Sequence, residues 1–192
     1  LFGVEGQSDH GKRHGRTVGR SVRKFNDWRQ LTARGPAGSV AAMKPPPRTP
    51  MDLALDEARK AAALGEVPVG AVVLRGEMVV AAAHNRVETD KDPTAHAELL
   101  AIRAAAAALG APRLPDCDLY VTLEPCAMCA QAVAFARLRR LYYGAGDPKG
   151  GGVEHGARMF TQPTCHHRPE IYGGIGEADA AALLRAFFAE RR

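Results

Sequence analysis

The stretch between Pro93 and Cys129 constrains this chain more than any other, because it gathers the side chains of a metal centre. It opens with Pro93-Thr94-Ala95-His96-Ala97-Glu98 and closes with Glu124-Pro125-Cys126-Ala127-Met128-Cys129. Zinc takes Cys thiolates and His nitrogens, and a catalytic zinc site draws three ligands from the protein while a fourth position stays open to water. Cys126 and Cys129 stand at i and i+3, so on a helix they share a face and can grip one ion. His96 and Glu98 stand at i and i+2 and would diverge in mid-helix. In the first turn of a helix, however, both can border the same ion. Their chemistry is unequal, which suggests His96 as a ligand and Glu98 as a proton carrier beside the bound water.

A closed zinc site that merely staples a fold needs four ligands, commonly two pairs, and a single C-x-x-C is present. The Cys165-His166-His167 run offers a conceivable fourth ligand. A carboxylate so near the ligand His would then have no purpose. Together the two motifs form the H-x-E…P-C-x-x-C signature of zinc nucleobase deaminases, a specific signal where either half alone is weak.

The 192 residues allow one ordinary domain, and 46% hydrophobic with 24% charged residues suits a globular protein. No apolar run approaches the roughly 18 residues that cross a bilayer. Four cysteines, two of them in the metal motif, imply no disulfide framework and point to a reducing cytoplasm. The net charge of +5 is unevenly spread: residues 1–48 hold 10 Lys and Arg against 3 Asp and Glu, leaving 16 against 18 in residues 49–192. The basic front segment lacks periodicity and ends in Lys44-Pro45-Pro46-Pro47, a stiff linker by composition. It reads as a disordered leader, or as a stretch upstream of a start at Met43 or Met51; a basic tail that touches nucleic acid is the other reading.

From Thr49 the pattern is regular. Thr49-Pro50 caps a helix with Met51, Leu55, Ala58 and Ala62 on one face, and Gly65 ends it. Val67–Leu74 and Met78–Ala83 read as an antiparallel hairpin that delivers His84-Asn85-Arg86 to its end, followed by a charged loop from Glu88 to Asp92. A second helix is expected from Pro93 to Leu109, a buried strand over Leu119–Leu123, and a third helix from Pro125 to about Leu138. Both metal motifs therefore fall where helices begin, and helix N-termini favour thiolates. Leu141–Gly144 and Glu170–Tyr172 read as strands, with a short helix around Ala157–Phe160 and a closing amphipathic helix over Glu177–Arg191. Helices alternating with strands after a hairpin predict an α/β protein, a mixed α/β/α sandwich.

From Thr49 onward the chain resembles the bacterial tRNA adenosine deaminases of the cytidine deaminase superfamily. The shared words are Glu66-Val67-Pro68-Val69-Gly70, His84-Asn85-Arg86, Asp92 through Glu98, Leu119 through Cys129, Gly144 through Lys149, and Leu183 through Phe188. The resemblance implies a three-layer sandwich around a five-stranded mixed sheet, usually in a homodimer, with residues 49–192 as the deaminase domain. It implies hydrolysis of adenosine to inosine at the wobble position of a tRNA anticodon stem-loop, with one Zn2+ per subunit. His96, Cys126 and Cys129 would be its ligands and Glu98 the proton shuttle. Asn85 and Ala97 would meet the purine, Asp147 and Lys149 the RNA strand, and Phe188 the flanking nucleotide. Arg137, Arg139, Arg140, Arg158, Arg168 and the terminal Arg191-Arg192 are further candidates for phosphate contact. The chain departs from better-known members at His166-His167-Arg168, where Asn usually precedes the His-Arg pair, and over Gly150-Gly151-Gly152-Val153-Glu154-His155.

Two other functions fit parts of the pattern. A free nucleobase or nucleoside deaminase of the guanine or cytosine type would use the same zinc chemistry. A non-catalytic, zinc-stabilised RNA-binding module would leave Glu98 without a role.

Overall fold

The structure is a computed structural model that describes residues 48–191. The expectation of a disordered basic leader over residues 1–48 lies outside the described residues, apart from Arg48, which pairs with Asp56.

Helix α1 (Pro50–Ala63) starts as its sequence predicts: the Asp52 N–H donates to Thr49 Oγ1 at 3.2 Å and the Thr49 N–H to the Asp52 carboxylate at 2.7 Å. This reciprocal capping satisfies donors that the first turn leaves without partners. Strands β1 (Gly70–Arg75) and β2 (Met78–His84) follow as an antiparallel hairpin, turned by Gly76 in the left-handed region at φ 62°. β1 begins later than the apolar run suggests. Pro68 has no N–H to give and the Val69 N–H turns back onto Val67 O at 2.7 Å, so the ladder opens at Gly70.

The charged loop expected after β2 contains a one-turn helix, α2 (Val87–Asp90). Helix α3 (Ala97–Leu109) starts well after Pro93, because Asp92 Oδ1 accepts the Thr94 N–H and hydroxyl at 2.7 Å each and holds that segment in a turn. Strand β3 (Cys117–Leu123) leads to helix α4 (Ala127–Ala136), shorter at both ends than expected and closed by Arg137 at φ 54°. Strand β4 (Arg140–Ala145), a 3-10 turn over Met159–Thr161, strand β5 (Glu170–Tyr172) and helix α5 (Glu177–Ala189) complete the chain.

The five strands form one mixed sheet in the order β2-β1-β3-β4-β5, with β1 antiparallel to both neighbours and β3, β4 and β5 parallel. Alternation along β1 sorts its side chains into two cores. Ala71 and Val73 join Leu119, Val121, Leu141, Ile102 and Val133 beneath α3 and α4. Val72 and Leu74 face the other way, onto Met51, Leu55 and Ala180 of α1 and α5. The expected three-layer α/β/α sandwich is thus formed. On the α1/α5 side, Tyr120, Tyr142 and Tyr172 stack across β3, β4 and β5, with ring centroids 4.3 and 4.8 Å apart. Among the described residues, no helix is long and apolar enough to cross a membrane.

The first residue of β1 fixes how closely α1 can lie on the sheet. A Cβ at Gly70 would run into Ala54 O and would stand 2.5 Å from Ala58 N. Both obstacles are helix backbone, which cannot swing aside. Gly70→Ala is expected to lower stability by about 1–3 kcal/mol, the usual cost of overpacking, as measured by denaturant unfolding. An unchanged midpoint would show that α1 can lift off β1 freely.

Candidate metal centre

The two motifs meet because two helices begin at the same place. His96 is the N-cap residue of α3 and Cys126 that of α4, both with extended backbone, while Cys129 lies one turn into α4. His96 Nδ1 stands 3.7 Å from Cys126 Sγ and 3.6 Å from Cys129 Sγ. Among the described residues these three form the group able to hold a metal ion, their donor atoms all within 4.8 Å of one another. Donors about 2.0–2.3 Å from a tetrahedral ion stand roughly 3.6 Å apart, so the nitrogen–sulfur spacing fits a zinc-like centre.

The electrostatics suit the same use. The Cys129 thiol donates to Cys126 and, with His96 and the Cys129 N–H, holds Cys126 down at about 4 despite burial. The reciprocal contact and burial push Cys129 up. Opposite shifts on two adjacent thiols mark a pair that a bound cation would bring to thiolates together. His96 is raised, chiefly by its bond to Cys126 and also by the nearby Glu98 charge. Glu98, 4% exposed, sits in the first turn of α3, and burial pushes its carboxyl above the usual carboxylate range. The Cys165-His166-His167 run does not join the centre. Cys165 Sγ bonds His167 O at 3.1 Å, and the His167 ring Nε2 lies 2.6 Å from Leu138 O. His84 is likewise engaged elsewhere, with Nδ1 2.8 Å from Glu57 on α1.

The centre forms the floor of a cleft of about 640 Å³ that Asn85, Glu66, Glu124 and Asp147 also line. Asn85 is buried, and its Oδ1 accepts the Ala97 N–H at 2.9 Å. That bond uses the acceptor end and leaves the side-chain NH2 for a ligand. Ala97 is fully buried, and its N–H is committed to Asn85. A second hollow of about 850 Å³ shares Leu123, Asp147, Gly150 and Arg191 with the first and adds Lys149, Arg185 and Phe188. Phe188 is 47% exposed and meets the buried Phe187 edge-on, with Arg191 over the Phe187 ring at 3.6 Å. Asp147 also caps its own turn, with Oδ1 accepting the N–H groups of Lys149 and Gly150 at 3.0 Å each.

Two carboxylates that line the cleft, Glu66 and Glu124, have roles that no local pattern in the sequence marks. Glu66 accepts the N–H groups of Glu88 and Thr89 and the Thr89 hydroxyl, fixing α2 as one wall. Glu124 accepts the N–H groups of Asp147, Val153, Glu154 and His155, fixing the opposite wall. The run Gly150–Gly152 was the available sign of a close approach, since a Cβ at Gly151 would stand 2.6 Å from the Glu124 carboxylate. The expected basic cluster is in part differently employed: Arg139 is tied to Asp118 and Arg140 to Glu170, at the opposite end of the parallel strands.

Comparison with known proteins agrees with this geometry. The sequence profile of the MafB19-like deaminases matches residues 48–192. A tRNA-specific adenosine deaminase of Agrobacterium fabrum is 58% identical over 142 residues, covering 74% of this chain and 93% of the relative. A solved structure from work on A-to-I editing by tRNA:A34 deaminases at the wobble position superposes with a TM-score of 0.69 at 58% identity, over 70% of this chain and 98% of that one. A guanine deaminase from Nitrosomonas europaea shares the fold with a TM-score of 0.65 at 26% identity, over 73% and 83% of the two chains. With its His, Cys, Cys centre on a five-stranded mixed sheet, the chain belongs to the tRNA-specific adenosine deaminases, a family with the cytidine deaminase-like fold.

Proposed function

We propose that this chain hydrolyses adenosine to inosine at the wobble position of a tRNA anticodon stem-loop, with one Zn2+ held by His96, Cys126 and Cys129. The observation that carries the reading is the meeting of three soft donors with one buried carboxylate on the floor of an open cleft. Zinc held there supplies Lewis acidity, which makes water a nucleophile near neutral pH.

The side chains divide the remaining work. Glu98 takes a proton from the attacking water and delivers it to the purine ring nitrogen, then takes the second water proton from the hydroxyl now on C6 and passes it to the amine, which leaves as ammonia while the C6 carbonyl forms. Burial suits it to this exchange, because a carboxyl raised toward the working pH both accepts and releases protons. The Asn85 NH2, oriented by the Ala97 N–H on its oxygen, meets the purine edge, so the buried Ala97 acts on the base through Asn85. Asp147 and Lys149 flank the cleft mouth, and Phe188 offers an exposed ring on which a flanking base can stack. Lys149, Arg185 and Arg191, which line the larger hollow, are the cations placed to meet phosphate.

An anticodon loop suits such a cleft because its bases can be splayed out without opening a duplex. A homodimer is part of the proposal, supported by Met128 and Phe135, exposed by 36% and 70% on α4. With tRNA as substrate, the cytoplasm is the compartment in which the reaction takes place. The guanine deaminase likeness keeps a free-base substrate as the rival reading.

Glu98→Gln is expected to keep bound zinc and folding while activity falls by at least about 10²–10⁴-fold, the size of lost general acid–base catalysis. Cys126→Ala removes a donor, so zinc, activity and thermal stability should fall together. Elemental analysis and an inosine assay on both variants check this pair. A Glu98→Gln protein with full activity would remove the shuttle from the mechanism.

Substrate class is tested by comparing an anticodon stem-loop with free adenosine, adenine and guanine. The stem-loop should be turned over far faster, and its binding should weaken steeply as salt rises, because phosphate contacts release counterions. Efficient, salt-insensitive turnover of a free base would move the chain to the rival reading.

A further inference from the structure

The stretch Gly150-Gly151-Gly152-Val153-Glu154-His155 supplies no ligand to the metal centre. The fold wraps it around one carboxylate. The Glu124 side chain has no solvent exposure, while the His155 side chain is 41% exposed. Glu124 Oε1 accepts the N–H groups of Val153, Glu154 and His155 at 3.1, 2.8 and 3.0 Å. Its Oε2 accepts the Asp147 N–H at 3.0 Å and contacts His155 Nδ1 at 2.6 Å. A carboxylate so rich in N–H partners is an acceptor, so the imidazole proton belongs on Nδ1.

We infer that Glu124 and His155 are positioning residues for RNA capture: together they fasten the 147–155 loop so that Asp147 and Lys149 stand ordered at the cleft mouth. The inference rests on the RNA-deaminase reading above, while the fastening itself is a property of the chain that can be measured without substrate. His155 acts on the very oxygen that holds Asp147. Asp147 passes that order on, since its Oδ1 accepts the N–H groups of Lys149 and Gly150. The glycines make the wrap possible. A Cβ at Gly151 would stand 2.6 Å from the Glu124 carboxylate, and one at Gly152 would stand 2.5 Å from Ala127 N at the start of α4. The loop has a second anchor in the Tyr143 hydroxyl, which donates to Glu154 at 2.5 Å. Loss of His155 alone therefore loosens the segment without releasing it.

The test uses the full chain with zinc bound. His155→Ala should keep its metal and its fold with a lower melting temperature for the bond lost, while KM for an anticodon stem-loop rises about tenfold, the size of one charge-assisted hydrogen bond. The kcat value should stay within about twofold, because no group that touches the reacting atoms has moved. His155→Asn should recover most of the KM, since its amide can donate from the place of Nδ1. Hydrogen exchange supplies the readout that needs no substrate: the amides of Asp147, Lys149 and Gly150 should exchange faster in His155→Ala and return toward wild type in His155→Asn. Unchanged exchange at these amides overturns the fastening. A fall in kcat at constant KM overturns the link to RNA capture. Wild-type protein that bound zinc but ignored the stem-loop would overturn the functional reading, and with it the RNA role of the loop, while the exchange rates still decided the fastening.

Discussion

Everything at the centre depends on two helices beginning within bonding distance of each other. α3 and α4 present their N-caps, His96 and Cys126, to one point, and Cys129 follows one turn later. A helix start is where extended backbone gives way to a rigid rod, so a side chain placed there is held without the rotational freedom of a loop. It is also where unpaired N–H groups and the helix dipole stabilise negative sulfur. The sheet supplies the alignment. β3 runs straight into Pro125 and Cys126, and β1 beside it ties back through the hairpin to Asn85, which holds the first N–H of α3.

The walls of the cleft are built on a different principle. Where regular ladders stop, the chain uses buried carboxylates as collecting points for backbone N–H groups. Glu66 gathers the start of α2, and Glu124 gathers the segment after β4. Burial alone would favour the neutral acid, but in both the bonds donated to the carboxylate win and the group is held below the usual range. The result is a pair of walls pinned at a buried carboxylate each, whose charge is met by backbone N–H groups as buried polar groups require.

Local signals are legible in this sequence, and non-local ones are not. Thr49-Pro50-Met51-Asp52 contains its own cap, and Gly110 its own stop, so both ends were legible. The metal ligands were legible because zinc chemistry restricts residue type and spacing together. α3 starts later than its apolar pattern suggests because Asp92 bonds forward to Thr94 and delays the helix, a competition that composition does not reveal. Glu66 and Glu124 were invisible in their roles because their partners lie far along the chain, Thr89 for one and His155 for the other. The same holds for Arg139 and Arg140, whose partners Asp118 and Glu170 become neighbours only in the folded sheet.

The tyrosines carry a consequence for following this protein in solution. All four in the sequence, Tyr120, Tyr142, Tyr143 and Tyr172, lie on β3, β4 and β5, and three of them form one stack. The single tryptophan, Trp28, falls outside the described residues. Within the described fold, tyrosine optical activity therefore belongs wholly to the parallel half of the sheet. Stacked phenols couple their transitions, so the tyrosine band of the near-ultraviolet dichroism becomes a built-in gauge of whether those three strands stay in register.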